Sequence, residues 1–165
     1  MKRISFSVVA KGLEMNMAVA KAGLAQERNP GRDLKDMVEE GLMGDGAHMQ
    51  AQILTAAAAH ARMAGVTLPV MSLTGSGNHG ITAFLCLMGA ASRMDADHEK
   101  IVRAAALATL VTAYAKAHTG TLSAMCGCGV AAGLGATIGV VYLAEGNDAQ
   151  MLAALGNAAP QLEVH

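Results

Sequence analysis

The sequence of 165 residues is poor in aromatic side chains, with two Phe, two Tyr and no Trp. Charge is also scarce: 15% of the residues are charged, and the formal net charge at pH 7 is -1. Proteins that bind nucleic acid use clustered basic residues against phosphate and aromatic rings against bases. This chain has no basic run and almost no rings, so we exclude nucleic acid as a partner.

Cysteine is equally scarce and occurs three times, at Cys86, Cys126 and Cys128. An odd number in a chain of this length does not indicate a disulfide framework, and the Cys-x-Cys spacing is sterically poor for an internal bridge. The N-terminus, MKRISFSVVAKG, has too few uncharged residues before Lys11 for a secretory signal. We therefore expect reduced thiols and a cytoplasmic protein.

Residues 121–144, TLSAMCGCGVAAGLGATIGVVYLA, contain no charged side chain. The run is long enough to span a bilayer, and the mean hydropathy of the chain is +0.35. Against a spanning helix, glycine is dense and the flanks carry no Trp and no paired basic anchors. A buried helix is the preferred interpretation, so no membrane partner is expected, and a membrane protein stays as an alternative.

What the chain does contain is small and flexible apolar side chains: 53% of the residues are hydrophobic, and there are 19 Gly and 12 Met. This composition favours closely packed helices over a sheet sandwich. We predict one all-α domain over residues 1–165, a compact multi-helix fold with a buried Gly/Ala-rich central helix. Turn residues and apolar spacing place the other helices at 11–26, 33–43 with Asp33 as its cap, 47–63, 81–92, 99–116 with Asp95 or Asp97 as its cap, and 151–159 after a cap at Asp148.

Two short motifs contain residues suited to chemistry. In GSGNHGIT, residues 75–82, a glycine-rich turn that opens a helix presents free N–H groups to a carboxylate or phosphate, and His79 could move a proton or bind a metal. The alternative is a turn whose Asn78 and His79 satisfy helix-end groups. This motif is neither a phosphate-binding loop nor a dinucleotide fingerprint.

The second motif is MCGCG, residues 125–129. Thiolates are the usual ligands of iron–sulfur clusters, and neighbouring glycines let backbone N–H groups approach the sulfur atoms. The alternative is that Cys126 and Cys128 are packing residues in a Gly/Ala-rich helix. Cys86 lies in an apolar helix and is predicted to be core, whereas His60 and His98 lie among surface residues.

VMSLTGSGNHGITAFL followed by GTLSAMCGCGVAAGLGATIGVVYL resembles the alpha-chain domain of the iron–sulfur-dependent L-serine dehydratases. It resembles more closely the branch that contains L-cysteine desulfidase and its bacterial relatives. The resemblance extends from about residue 11 to residue 157. It implies a [4Fe-4S] lyase that eliminates water from L-serine, or hydrogen sulfide from L-cysteine, and releases pyruvate and ammonia.

The same resemblance assigns site residues. It implies that the metal ligand lies at Cys126 or Cys128, without deciding between them, and makes His79 a substitute candidate for the catalytic base. It also implies a substrate-side loop, in which N–H groups could hold the carboxylate of a small amino-acid substrate. The residues that match this loop are Gly75, Ser76, Gly77, Asn78 and Gly80.

The family plan is longer than this chain, and an open-iron cluster needs three thiolates. We therefore expect a partner chain, or further parts of the same plan, to supply the missing N-terminal and C-terminal portions with their cysteines. The chain alone is not expected to be a complete enzyme. The alternative function is a non-catalytic helical module of the same ancestry that packs into a homo-oligomer through small-residue helix faces.

Overall fold

The computed structural model describes residues 6–119 and 126–158, and this part of the chain folds into seven α-helices and one short π-helix. No strand occurs within these ranges, so the predicted all-α fold is confirmed. The helices are α1 (Ser7–Leu24), α2 (Pro30–Glu39), α3 (Ala47–Met63), α4 (Gly77–Ala91), α5 (His98–Thr119), the π-helix (Cys128–Ala132), α6 (Gly133–Leu143) and α7 (Asp148–Ala158).

Helix α4 lies at the centre because its sequence is apolar on every side. Ile81 and Leu85 are fully buried against α1 and α3, while Phe84 and Leu87 are buried against α1, α5 and α6. Burying one such side chain contributes about 1.5–3 kcal/mol. Burial on both sides therefore fixes α4, and with it the segment that precedes it.

Glycine and alanine let the backbones of neighbouring helices touch. A side chain at Gly89 of α4 would collide with the backbone of Ala51 in α3. The alanines at positions 57, 61 and 64 are spaced to form a small-residue face on α3; Ala57 and Ala61 are fully buried, whereas Ala64 is exposed. The α3–α4 interface thus depends on the absence of side-chain bulk.

The predicted start of the second helix at Asp33 is wrong, because α2 begins at Pro30. Proline suits the first helical position, where its missing N–H costs nothing. The cap is Asn29, whose Oδ1 accepts from the N–H of Gly31 at 2.9 Å. Its Nδ2 also donates to the carbonyl of Ala57 at 3.1 Å, so Asn29 ties α2 to α3.

The predicted cap of α7, Asp148, is also wrong. The backbone N–H of Gln150 donates to Oδ1 of Asn147 at 3.0 Å, and Oε1 of Gln150 accepts from the N–H of Asn147 at 2.9 Å. This reciprocal pair is a capping box. At α5, by contrast, Asp97 is confirmed as the cap, since its Oδ1 accepts from the N–H of Lys100 at 2.7 Å.

The charge-free run 121–144 is described from Cys126 onward, and residues 120–125 lie outside the described part. The π-helix and α6 bury small residues on the side that faces α4 and α5, including Ala131, Ala132 and Gly135. Within residues 6–119 and 126–158, none of the helices combines the length and apolarity needed to cross a membrane.

A buried asparagine on α1 holds the loop that leads into α4. Asn16 is fully buried, and its Oδ1 accepts from the N–H of Met71 at 2.9 Å. Its Nδ2 donates to the carbonyl of the same residue at 3.3 Å. One side chain thus satisfies both backbone groups of Met71, and the loop is fixed against α1 just before the glycine-rich motif.

Replacement of Asn16 by Ala is expected to lower the free energy of unfolding by about 2–3 kcal/mol, because it leaves the N–H and the carbonyl of Met71 without partners. Urea denaturation followed by circular dichroism measures the change. Asn157 is exposed on α7, and Asn157→Ala is the matched control, expected to change stability by less than about 0.5 kcal/mol. Equal stability of both variants would contradict the role of Asn16.

Candidate functional site

The glycine-rich motif begins in a tight turn over residues 73–76. The N–H of Leu73 donates to the carbonyl of Ser76 at 3.1 Å, and the reverse bond measures 3.0 Å. Thr74 and Gly75 at the tip have φ angles of 49° and 82°. Glycine adopts such angles freely, but for a β-branched threonine the left-handed conformation is strained. Thr74 is therefore held in this conformation by the surrounding contacts.

Helix α4 begins at Gly77, four residues before the predicted start at Ile81, so the prediction was wrong at this boundary. Gly77, Asn78 and Gly80 lie in the first helical turn rather than in a loop. A side chain at Gly80 would collide with the carbonyl oxygen of Met71. This packing brings the helix start against the loop held by Asn16, which compensates for the low helix propensity of glycine.

The imidazole of His79 is buried, with 5% of the residue exposed. Its Nδ1 lies 2.9 Å from Oγ1 of Thr74, and that hydroxyl donates to the carbonyl of Leu73 at 2.8 Å. Because the hydroxyl proton is already engaged, Oγ1 accepts from Nδ1–H, which assigns the tautomer from the hydrogen-bond pattern. Nε2 is therefore the unprotonated nitrogen, with no hydrogen-bond partner among the described residues.

Burial lowers the pKa of His79, and the positive charge of Lys116 on α5 lowers it further. A hydrogen bond to the carbonyl of Leu73 acts in the opposite direction. The net effect favours neutral imidazole at neutral pH. Nε2 of His79 can therefore accept a proton.

The two sequence motifs meet at His79. Nε2 and Cε1 of the imidazole lie where a side chain on Gly127 would stand, so only glycine fits between the two cysteines. Thr82, one helical turn after His79, lies close enough to Cys128 to lower the pKa of its thiol. The glycine-rich motif and the Cys-x-Cys motif, which are some forty residues apart in sequence, thus form one site.

Cys126 is exposed and precedes the π-helix. Hydrogen bonds from the backbone N–H groups of Gly129 and Cys128 to its sulfur lower the pKa of this thiol. N–H groups directed at sulfur stabilise the thiolate, which is the form that binds metals. The local backbone therefore favours the thiolate of Cys126.

Cys128 differs from its neighbour. It is half-buried, and burial together with the nearby charge of Cys126 raises its pKa, although the side chain of Thr82 and the charge of Arg62 oppose this effect. The two thiols are therefore not equivalent. The sequence spacing contains no information on this difference.

Arg62, at the end of α3, is a site residue that the sequence analysis did not identify. Its Nη1 donates to Oδ1 of Asn78 at 2.8 Å. Its guanidinium atoms lie 2.8–3.1 Å from the point where a side chain on Gly77 would stand. Arg62 therefore packs over the first turn of α4, and the side-chain oxygen of Asn78 is already occupied.

The third cysteine lies apart from the site. Cys86 is half-buried two turns along α4 from His79, with its sulfur 3.6 Å from Oγ1 of Thr55, and burial raises its pKa. His60 and His98 are exposed, as predicted. Within residues 6–119 and 126–158, no group of three or more His, Cys, Asp or Glu side chains is placed to hold a metal ion.

Comparison with known proteins gives one family and many relatives. The family described as serine dehydratase alpha chain matches residues 2–162. A UPF0597 protein of Clostridioides difficile is 45% identical over 148 residues, which are 88% of this chain and 35% of that protein. A UPF0597 protein of Desulfatibacillum aliphaticivorans is 46% identical over 151 residues, covering 89% and 34%.

A third relative, a UPF0597 protein of Caldanaerobacter subterraneus, is 45% identical over 162 residues, which cover 94% of this chain and 36% of that protein. The chain therefore spans about a third of the length of these relatives. No solved structure matches it at a significant level.

The three thiols are expected to react with iodoacetamide at different rates at neutral pH. Cys126 should react fastest, because it is exposed and its pKa is lowered, and Cys86 slowest, because burial both raises its pKa and shields it. Tandem mass spectrometry of the iron-free, reduced chain after timed quenching measures the order. Unfolding in urea is the control and should abolish the difference in rate between the three thiols. If Cys86 reacted as fast as Cys126 in the folded chain, the result would contradict the structure.

Proposed function

The chain belongs to the serine dehydratase alpha chain family, and on that premise we propose that it forms part of an iron–sulfur-dependent β-elimination lyase. The substrate is a small amino acid, either L-serine, which loses water, or L-cysteine, which loses hydrogen sulfide. Both give pyruvate and ammonia. The observation that carries the proposal is the contact between His79 and Gly127, since a neutral imidazole there lies against the residue between the two cysteines.

The thiols have the chemistry that a [4Fe-4S] cluster needs, but they form an incomplete set. Cys126 has a lowered pKa and backbone N–H groups directed at its sulfur, and Cys128 lies two residues away. A cluster with one open iron takes three thiolates, and Cys86 lies apart in α4. Cys126 and Cys128 would thus supply part of the ligand set, and the bound cluster would supply a Lewis acid for the leaving group.

Removal of the α-proton falls to His79 in this proposal. Nε2 carries the free electron pair, and Oγ1 of Thr74 fixes the ring by accepting a hydrogen bond from Nδ1–H. Because burial keeps the imidazole neutral, the base is in its active form at neutral pH. Gly75, Ser76, Gly77 and the N–H groups that open α4 would face the substrate, while Gly80 packs against Met71 and supports the turn.

The remaining ligands require further polypeptide. A family of alpha chains implies a beta chain, and the matched residues cover about a third of the length of the relatives. The partner surface that we propose lies on α5, where Leu110 and Tyr114 are 68% and 71% exposed. Helix α7 buries no residue, which suits a second contact of this kind or a contact between copies of the chain.

Replacing Cys126 or Cys128 by Ser is expected to reduce the bound iron and sulfide by more than half for at least one of the two, because a cluster ligand is lost. The measurement is metal and sulfide analysis after anaerobic reconstitution of the chain together with its complementing polypeptide.

Cys86→Ser is the matched control and should retain the wild-type iron content. If both site variants also retained it, the cluster assignment would be wrong. The alternative is the non-catalytic helical module. It would be supported if the chain formed an oligomer equally well without iron and with Cys126 and Cys128 both replaced by Ser, and if it released no pyruvate. Light scattering after size exclusion measures the oligomeric state.

Replacement of His79 by Gln in the assembled enzyme is expected to lower kcat by about 100-fold or more, because proton abstraction loses its base. Iron content should stay at the wild-type level. Pyruvate release is measured by a coupled assay, with His60→Gln, an exposed histidine of α3, as the control. An unchanged kcat in His79→Gln would rule out this residue as the base.

A further inference from the structure

A cavity of about 360 Å³ opens between α1, α4 and α5, away from the two motifs. Its floor is apolar and includes Leu13, Met17, Met88 and Ile101. Leu13 is buried, whereas the other three are half-buried, so part of each side chain stays uncovered at the cavity. Methionine is unbranched and flexible, and two methionines allow this floor to adapt to an apolar ligand.

The cavity is separate from the candidate site and from the proposed partner surface on α5. Met88 follows His79 by nine residues on α4, and Ile101 precedes Leu110 by nine residues on α5. Nine residues make about two and a half helical turns, so the two members of each pair lie on opposite sides of their helix. Neither His79 nor Leu110 lines the cavity.

The rim of the cavity contains side chains of both charge signs. It is formed by Glu14 and Lys21 of α1 and by His98 at the start of α5. All three are exposed, and none forms a side-chain hydrogen bond or ion pair with another described residue. Glu14 and Lys21 are about 10 Å apart along the helix axis, whereas ion pairs within a helix join residues three or four apart. A carboxylate and an ammonium group are thus both available to a ligand.

The lining of the cavity restricts the class of ligand. Sites for small molecules are mostly apolar cavities with a few polar groups, and 360 Å³ lies near the lower end of their volumes. A ligand with one charge would leave either Glu14 or Lys21 without a partner. A small zwitterion with an apolar body matches both charges and the floor.

We propose that this cavity binds a free α-amino acid with an apolar side chain. The ammonium group of the ligand donates to the carboxylate of Glu14, and the ligand carboxylate accepts from the ammonium group of Lys21. The apolar side chain packs between Met17 and Met88. His98 lies at the same rim and offers a ring N–H to the ligand carboxylate. This site goes beyond the proposed lyase function and does not depend on it.

The test is an NMR titration of the full 165-residue chain, reduced and iron-free, with isotope labels in the methionine methyl groups. L-Leucine should shift the methyl signals of Met17 and Met88 saturably and leave that of Met63, exposed at the end of α3, unchanged. L-Leucinamide lacks the carboxylate, N-acetyl-L-leucine lacks the ammonium group, and glycine lacks the apolar side chain. Each of these three probes should bind at least about fivefold more weakly than L-leucine.

Glu14→Gln and Lys21→Met should each weaken L-leucine binding by about fivefold or more, because a charged hydrogen bond is lost. Lys21→Met should leave L-leucinamide binding unchanged, and Glu14→Gln should leave N-acetyl-L-leucine binding unchanged. Glu27→Gln and Lys11→Met replace exposed residues that do not line the cavity, and these matched controls should bind L-leucine like the wild type. Circular dichroism verifies that each variant folds.

The proposal is overturned if glycine, L-leucinamide or N-acetyl-L-leucine binds as well as L-leucine, if no probe binds, or if both cavity variants bind L-leucine like the wild type. It is also overturned if the signals of Met17 and Met88 respond to protein concentration but not to L-leucine, since a second copy of the chain would then cover the cavity. Failure of the lyase proposal has a different readout, because it abolishes pyruvate release by the assembled enzyme and leaves L-leucine binding to this cavity intact.

Discussion

Helix α4 lies in backbone contact with its surroundings at two glycines, and this contact determines where the candidate site lies. Gly89 rests on Ala51 of α3, and Gly80 rests on the carbonyl of Met71. The second contact depends on Asn16, which satisfies both backbone groups of that residue from α1. These contacts hold both ends of α4, and they place His79, in its first turn, against Gly127 of the Cys-x-Cys motif.

The electrostatics of the site follow from the same packing. A buried imidazole loses solvation of its charged form, and a cation nearby adds to that effect, so His79 stays neutral. At Cys126 the effect is opposite, because backbone N–H groups lower the pKa of the thiol and favour the thiolate. A neutral imidazole and a stabilised thiolate thus lie in two segments that meet at Gly127.

Much of the fold was predictable, and three of the boundary errors share one origin. Apolar spacing located all seven α-helices, and the limits of α3 were predicted correctly, whereas α1 begins four residues before its predicted start and α2 ends four residues before its predicted end. Three further errors occur at Pro30, Gly77 and Asn147, where a proline, a glycine or a capping asparagine is compatible with both a turn and a helix start. Tertiary contacts decide between these two states, because local propensity differs by only about 1 kcal/mol per residue.

The sequence by itself determined that this chain is helical and that its charge-free segment belongs with closely packed helices. These conclusions follow from composition and periodicity, which are local properties, whereas the resemblance to a family singled out the two motifs that contain the candidate site residues. Only the tertiary structure decided that His79 faces Gly127, that Cys126 and Cys128 are chemically different, and that Arg62 packs over the first turn of α4. Each of these depends on the backbone groups and charges that surround a side chain after folding, and residues distant in the sequence provide those groups.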